Sequence, residues 1–410
     1  MLNRRITAGI IMLLIVVLGV SAVGCKKKAA QKQGKPAEKV EEPEPEPIVN
    51  PLTGSFDFDE KALNRRICGF VVENHPDARP QIGMDDEKYS PDIILEGEVE
   101  GGISRMLWLY ADYKKLPDVI GPLRSARPPY IRFSKMFDSY FIHWGMSHTE
   151  GGYTGANTYF RRLKTDHINA MDFPDKSEAF GRDTSTGKSL EHTGRAYGKN
   201  IPAAIKEAGF RIKPKPYTKL KWREENGPVS DKTCGEVTVE FSRISGSTHW
   251  TYDKEKNVYR TDSFMNNTER DNLLVLASET EYITNAIYQG HGVTYCNYKL
   301  TGGDAWFISN GTWEKLKWKR LGENDKTLYL YKVIKNKVPK TEAELAADKK
   351  AAEEEGKDPE TVKDYKIEKT EEEYELNRGK SWIGWISSNN GGKVNITKIK
   401  EETEDSEEDA

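Results

Sequence analysis

A mixed α+β fold is predicted: an α/β-layered N-terminal domain followed by a mostly β C-terminal domain that carries a charged helical insertion. Three observations lead there. Apolar strand-like runs alternate with helical spacing up to about residue 213; the texture then changes to short strands separated by turns; and residues 337–377 lose their apolar period before a strand pattern resumes at Ser381. The chain is 31% charged yet 10% aromatic, with 9 Trp and 19 Tyr, which supplies enough apolar surface for packed cores.

In chain order, Arg4 and Arg5 precede an apolar run from Ile6 to Val23 that ends in Ala22-Val23-Gly24-Cys25. A basic start, an apolar stretch and small residues before a cysteine form the pattern of a lipoprotein signal peptide. Residues 1–25 are therefore expected to be the signal and lipidation site, with Cys25 becoming the first residue and carrying diacylglycerol and palmitate. Ala22 stands where Leu or Val is preferred, and the run is long enough to span a bilayer if it stays uncut; either outcome leaves the body outside. A single acyl chain binds only marginally, so the several chains of a mature lipoprotein, helped by Lys26, Lys27 and Lys28 beside acidic headgroups, make the anchor. Residues 26–49 set Pro36, Pro43, Pro45 and Pro47 among glutamates and are expected to be a disordered tether with a reach of about 30 Å as a coil. Residues 401–410 read as an acidic disordered tail.

The N-terminal domain, residues 50–213, opens with strand candidates Ile67 to Val72, Ile93 to Val99, Met106 to Tyr110 and Tyr140 to Trp144. Helical spacing appears at Tyr130 to Phe137, Ala156 to Leu163 and Ile201 to Ala208. A Pro- and Lys-rich junction at 213–221 leads into the C-terminal domain, residues 214–400. Its strand candidates are Val237 to Phe241, Trp250 to Tyr252, Val258 to Arg260, Leu273 to Ala277, Val293 to Tyr298, Ala305 to Ile308, Thr327 to Val333 and Ser381 to Ile386. Within the insertion, residues 337–377, Thr341 with Glu344 forms a capping box and Asp358-Pro359 a second helix start, predicting a solvated helical hairpin. Besides Cys25 only Cys68, Cys234 and Cys296 remain, with no metal-type spacing; a Cys234–Cys296 bridge stays open.

The chemistry concentrates between Phe70 and Thr149, where charged residues interrupt apolar or glycine-rich segments. Arg79, Arg105, Arg124 and Arg127, with Glu73 and Asn74, are the candidate ligand-binding residues. Converging at strand ends, the guanidinium forks would grip a phosphate or carboxylate; the alternative is a set of Arg–Glu pairs that neutralise each other. Glu96, Glu100 and His143 are the candidate catalytic residues, since a carboxylate beside apolar strand surface has its pKa raised toward acid–base use. His143, His148 and Glu150 lie within short reach of one another, but their spacing fits no metal motif, so neither a metal nor a cofactor is expected. Gly181 to Ser189 imitates a phosphate-binding loop with one residue too many between its glycines, and Ser125 and Ser147 lack a nucleophile-elbow context. The net charge of -3 removes the case for nucleic acid as a partner.

The stretches VVENHPDARPQIGM from Val71, PDIILEGEVEGGISRML from Pro91, VIGPLRSARPPYIRFSKMFDSYFIHWGMS from Val119 and GKSWIGWI from Gly379 resemble the YerB-like family of bacterial lipoproteins. The motifs fall in the family's order and span both predicted domains. The resemblance implies an N-terminal and a C-terminal domain of unknown function (domain of unknown function 3048) and agrees with a lipid anchor. It implies nothing about the charged insertion, which the common pattern lacks.

Location and the arginine-rich motifs together predict a cell-envelope ligand-binding or accessory protein recognising an anionic or glycan ligand, anchored in membrane lipid through Cys25 at the extracytoplasmic face. Two alternatives stand beside it. One is a peptidoglycan-acting hydrolase or lyase using Glu96 or Glu100. The other is a scaffold for a membrane complex, served by the insertion. Cell-wall polymer or an envelope protein is the expected partner, and Trp250, Trp306, Trp313, Trp318, Trp382 and Trp385 are expected to be mostly core, with a minority free to stack on sugar rings.

Overall fold

The computed structural model describes residues 47–288, 291–320 and 328–399. The signal peptide with Cys25, the tether up to residue 46 and the acidic tail lie outside them, as does Thr327.

The strands are β1 (Cys68–Glu73), β2 (Ile93–Glu98), β3 (Ser104–Tyr110), β4 (Val119–Ile120), β5 (Tyr140–His143), β6 (His167–Asn169), β7 (Phe180–Arg182), β8 (Gly194–Tyr197), β9 (Glu236–Glu240), β10 (Ser247–Asp253), β11 (Val258–Thr261), β12 (Thr268–Arg270), β13 (Asn272–Ser278), β14 (Thr280–Tyr288), β15 (His291–Tyr298), β16 (Gly302–Ser309), β17 (Thr312–Lys319), β18 (Tyr329–Pro339), β19 (Tyr365–Glu373), β20 (Ser381–Ser387) and β21 (Lys393–Thr397). The helices are α1 (Pro128–Met136), α2 (Ala156–Leu163), α3 (Ile201–Glu207) and α4 (Glu342–Glu354). A mixed α+β fold is what the sequence predicts.

One sheet runs through the molecule in the order β19-β18-β17-β16-β13-β20-β2-β3-β1-β5-β6. It joins the two halves of the sequence because β20 pairs in parallel with β13 on one side and with β2 on the other. Most of β1, β2, β3, β13 and β20 is buried on both faces, so these strands read as continuous apolar runs rather than alternating ones. Their period of two sorts side chains into two cores. Val71, Leu95, Leu107, Leu276 and Trp385 face α1, α2 and the end of β15; Phe70, Ile94, Met106, Val275 and Trp382 face α3 and the smaller antiparallel sheet β12-β11-β10-β9-β21. Gly384 keeps β20 in this position: a Cβ there would lie 2.3 Å from the Trp382 ring.

The charged insertion differs from the predicted helical hairpin. Its two flanks are strands, β18 and β19, paired antiparallel from Tyr331↔Glu373 to Pro339↔Tyr365, and only the tip carries a helix, α4. The Thr341–Glu344 capping box is present, but Asp358-Pro359 starts a single 3-10 turn, Pro359–Thr361. Alternation of Lys and Glu along β19, which obscured any apolar period, is the signature of a solvated edge strand whose charges discourage further pairing. Cys68, Cys234 and Cys296 are buried free thiols.

Candidate functional site

The charged residues of the motifs gather at the ends of β1, β2 and β3, but in separate groups and not around one open cleft.

The first group surrounds Glu96, fully enclosed in β2. Its Oε1 accepts from Asn74 Nδ2 at 2.8 Å and Ser104 Oγ at 2.7 Å; its Oε2 accepts from Thr248 Oγ1 and Trp382 Nε1, each at 3.0 Å. Arg79 Nε and Gln81 Nε2 donate to Asn74 Oδ1 at 3.2 and 2.8 Å. Burial raises the Glu96 pKa, while the hydrogen bonds from Ser104, Thr248 and Trp382 and the Arg79 charge oppose the rise. The carboxylate thereby pins together β2, the loop after β1, the small sheet and β20.

The second group is closed. Arg127 grips Glu100 through Nε, at 2.8 Å from Oε2, and through Nη2; Arg105 Nη2 reaches Oε1 at 2.9 Å. The remaining reach of the two guanidiniums goes to carbonyls of Ala126 and Ser125. Although burial of the Glu100 carboxylate pushes its pKa up, the two arginines pull it down further, well below the usual carboxylate range. Glu100 begins a turn completed by Gly101 and Gly102, both at positive φ, and a Cβ on Gly102 would meet the Ile244 carbonyl oxygen at 2.5 Å. The glycine pair thus serves a backbone-to-backbone approach.

The third group lies where β1 ends. Glu73 is buried and ion-paired with Arg124, which also binds Glu191. His192 Nδ1 lies 3.8 Å from Glu73 Oε2, and the His192 ring stacks with His75 at 5.5 Å between centroids. His75, Asp77 and His192 place ligand-type atoms within 4.8 Å of one another. Sequence reasoning missed these three, because His75 and His192 are far apart in the chain.

His143 belongs to none of the groups. It is buried, with Nδ1 2.6 Å from the Gly145 carbonyl and Nε2 3.0 Å from His167 Nδ1. Burial and the neighbouring His167 push its pKa down to about 3, so the ring is neutral. His148 and Glu150 are exposed. Trp250, Trp318, Trp382 and Trp385 are core; Trp306 and Trp313 are half-buried, each with a lysine over its ring.

A large open space lies elsewhere, on residues the sequence did not single out. A groove of about 1080 Å³ runs between the loop after β1 and the small sheet, lined among others by Asp85, Asp86, Ser90, His249, Thr251, Asp262, Asn267 and Arg270. A second cavity of about 530 Å³ shares Ser90, Asp271 and Lys380 with it, which makes the depression elongated. Burial lowers the Arg270 pKa to about 10 and raises that of Asp271. Arg270 Nε is enclosed without a hydrogen-bond partner.

Residues 52–211 match the family described as "Protein of unknown function (DUF3048) N-terminal domain". The chain is 29% identical over 237 residues, 58% of its length, to "Putative lipoprotein YerB" of Bacillus subtilis (strain 168), and the match spans 66% of that relative. It superposes on the crystal structure of YerB protein from Bacillus subtilis with a TM-score of 0.59 and 21% identity, covering 85% of this chain and 99% of that one. A domain match over residues 52–211, a sequence relative and a shared fold therefore agree in making this chain similar to the YerB-like proteins.

Proposed function

We propose that this protein is a lipid-anchored lipoprotein at the extracytoplasmic face of the membrane, whose body binds a hydroxyl-rich wall glycan in the elongated polar groove. Anchoring is supported by the signal pattern ending at Cys25 and by the lipoprotein name of its Bacillus relative.

The groove carries the ligand reading. Its larger part is lined by six carboxylates, Asp85, Asp86, Glu87, Asp262, Glu269 and Asp271, against four cations, Lys256, Arg260, Arg270 and Lys380. That balance favours neutral hydroxyl groups over an anion, and an extended depression suits a chain-like ligand. The hydrolase or lyase reading has weaker support: Glu96 is saturated by four donors, Glu100 is held ionised by two arginines, and His143 is neutral and enclosed.

Isothermal titration of the detergent-solubilised chain with soluble wall-glycan fragments tests the reading. Binding is expected for the wild type, at least about tenfold weaker for Asp262→Ala with Asn267→Ala, the scale of lost polar contacts, and unchanged for Arg124→Ala, which lies outside the groove. Absence of binding, or equal binding by the groove variant, contradicts it. Release of new wall fragments, seen by mass spectrometry, would favour the enzyme instead.

A further inference from the structure

We infer that His75, Asp77 and His192 bind a transition-metal dication of the Zn²⁺ class, beside the end of β1. Two imidazoles and a carboxylate are a donor set suited to such ions, and three protein ligands leave a fourth position for water or for a further side chain.

Local structure brings the three together. His75 caps the short turn Pro76–Ala78, its Nδ1 accepting from the Asp77 amide at 3.2 Å, so His75 and Asp77 share one turn. His192 ends the turn Leu190–His192, its amide donating to the Ser189 carbonyl at 2.9 Å, two residues before β8. Lys188 Nζ donates to the Arg79 carbonyl at 2.6 Å and ties the two turns to each other. The ligand atoms already lie within 4.8 Å of one another. Around a tetrahedral zinc with bonds of about 2.0–2.1 Å they would stand about 3.3 Å apart. Closing that gap requires only that the half-exposed His75 and the exposed Asp77 turn toward the enclosed His192.

A second observation points to a ligand at this place. Glu73 is fully buried, and while its Oε2 pairs with Arg124 its Oε1 makes no hydrogen bond; the enclosed Nδ1 of His192, 3.8 Å from Oε2, has none either. Buried polar atoms normally find partners, and their absence here marks a polar place built for something more. Glu191 Oε1 stands 3.9 Å from His192 Nε2 and is a candidate for the fourth position.

Titration of the detergent-solubilised full chain, produced without a polyhistidine tag, with Zn²⁺ and with Co²⁺ tests the site. One dication per chain is expected, with visible d–d absorption from bound Co²⁺ and a rise in melting temperature on adding Zn²⁺. Loss of an outer partner of a metal site already costs about 10–100-fold in affinity, so His75→Ala and His192→Ala are each expected to weaken binding by more than about 100-fold. Asp77→Asn is expected to weaken it less, and His148→Ala not at all. His75 is half-exposed, so His75→Ala should melt like the metal-free wild type and decides the matter if His192→Ala fails to fold. A wild type that takes up neither ion, or a folded His75→Ala that binds as the wild type does, overturns the assignment.

Discussion

Charged residues inside apolar motifs invite a functional reading, yet most of those in this chain act on one another. Arg105 and Arg127 close on Glu100, and Glu96 accepts four hydrogen bonds from four other parts of the fold. Breaking such an arrangement from one side strands the other. Glu100→Gln leaves Arg105 without its counter-charge and is expected to cost about 3–5 kcal/mol in urea unfolding; a loss below about 1 kcal/mol would mean that the three groups are not coupled. His143 gives a pH signature. Its folded pKa of about 3 lies below the value of about 6.5 for an exposed imidazole, so the unfolded chain binds the extra proton between those limits. Stability is therefore full above about pH 6.5 and declines as pH falls toward 3. At pH 5 this group is expected to cost about 2 kcal/mol. Urea midpoints at pH 7 and pH 5 should fall further apart for the wild type than for His143→Gln. At this scale the sequence showed which residues were unusual but not their partners, since Thr248 and Trp382 reach Glu96 from positions 152 and 286 residues away.

Local elements were legible wherever a period is set by burial. The helix at Ala156–Leu163 and the strand beginning at Ile93 lie where spacing put them, because each has an apolar pattern that its surroundings use. The insertion was not, since six of the nine residues of β19 are Lys or Glu, and α4 has no buried residue. Such an arm contributes little to the core. Replacing residues 340–364 with a two-residue Asn-Gly turn is expected to leave the melting temperature within about 2 °C of the wild type, a range corresponding to less than about 1 kcal/mol for a chain of this size. A drop of 10 °C would show that the arm supports the sheet. Gly384 is the opposite case: Gly384→Val drives a side chain into the Trp382 ring and is expected to destabilise by more than about 3 kcal/mol, as overpacking of a closed core does.

Across the whole molecule the decisive strand is β20, which the sequence places near the C-terminus and the fold places beside β2. Pairing between strands so distant leaves no local trace, which is why the sequence pattern divides into an α/β part and a β part while the main sheet runs through both. Residues 50–213 alone would leave β2 with an unpaired apolar edge, so that fragment is expected to aggregate or to unfold without cooperativity, as judged by size-exclusion chromatography and thermal melting. A monomeric fragment with a sharp transition would contradict this. The groove is equally non-local: its walls come from the loop after β1, from β10 to β12 and from Lys380, and no single motif announces it.

The proposed location outside the membrane underlies the wall-glycan reading. Metabolic labelling with an alkyne palmitate analogue tests it most directly: label is expected in the membrane fraction for the wild type and absent for Cys25→Ala. Unlabelled, intact wild-type protein recovered from the cytosol would contradict it.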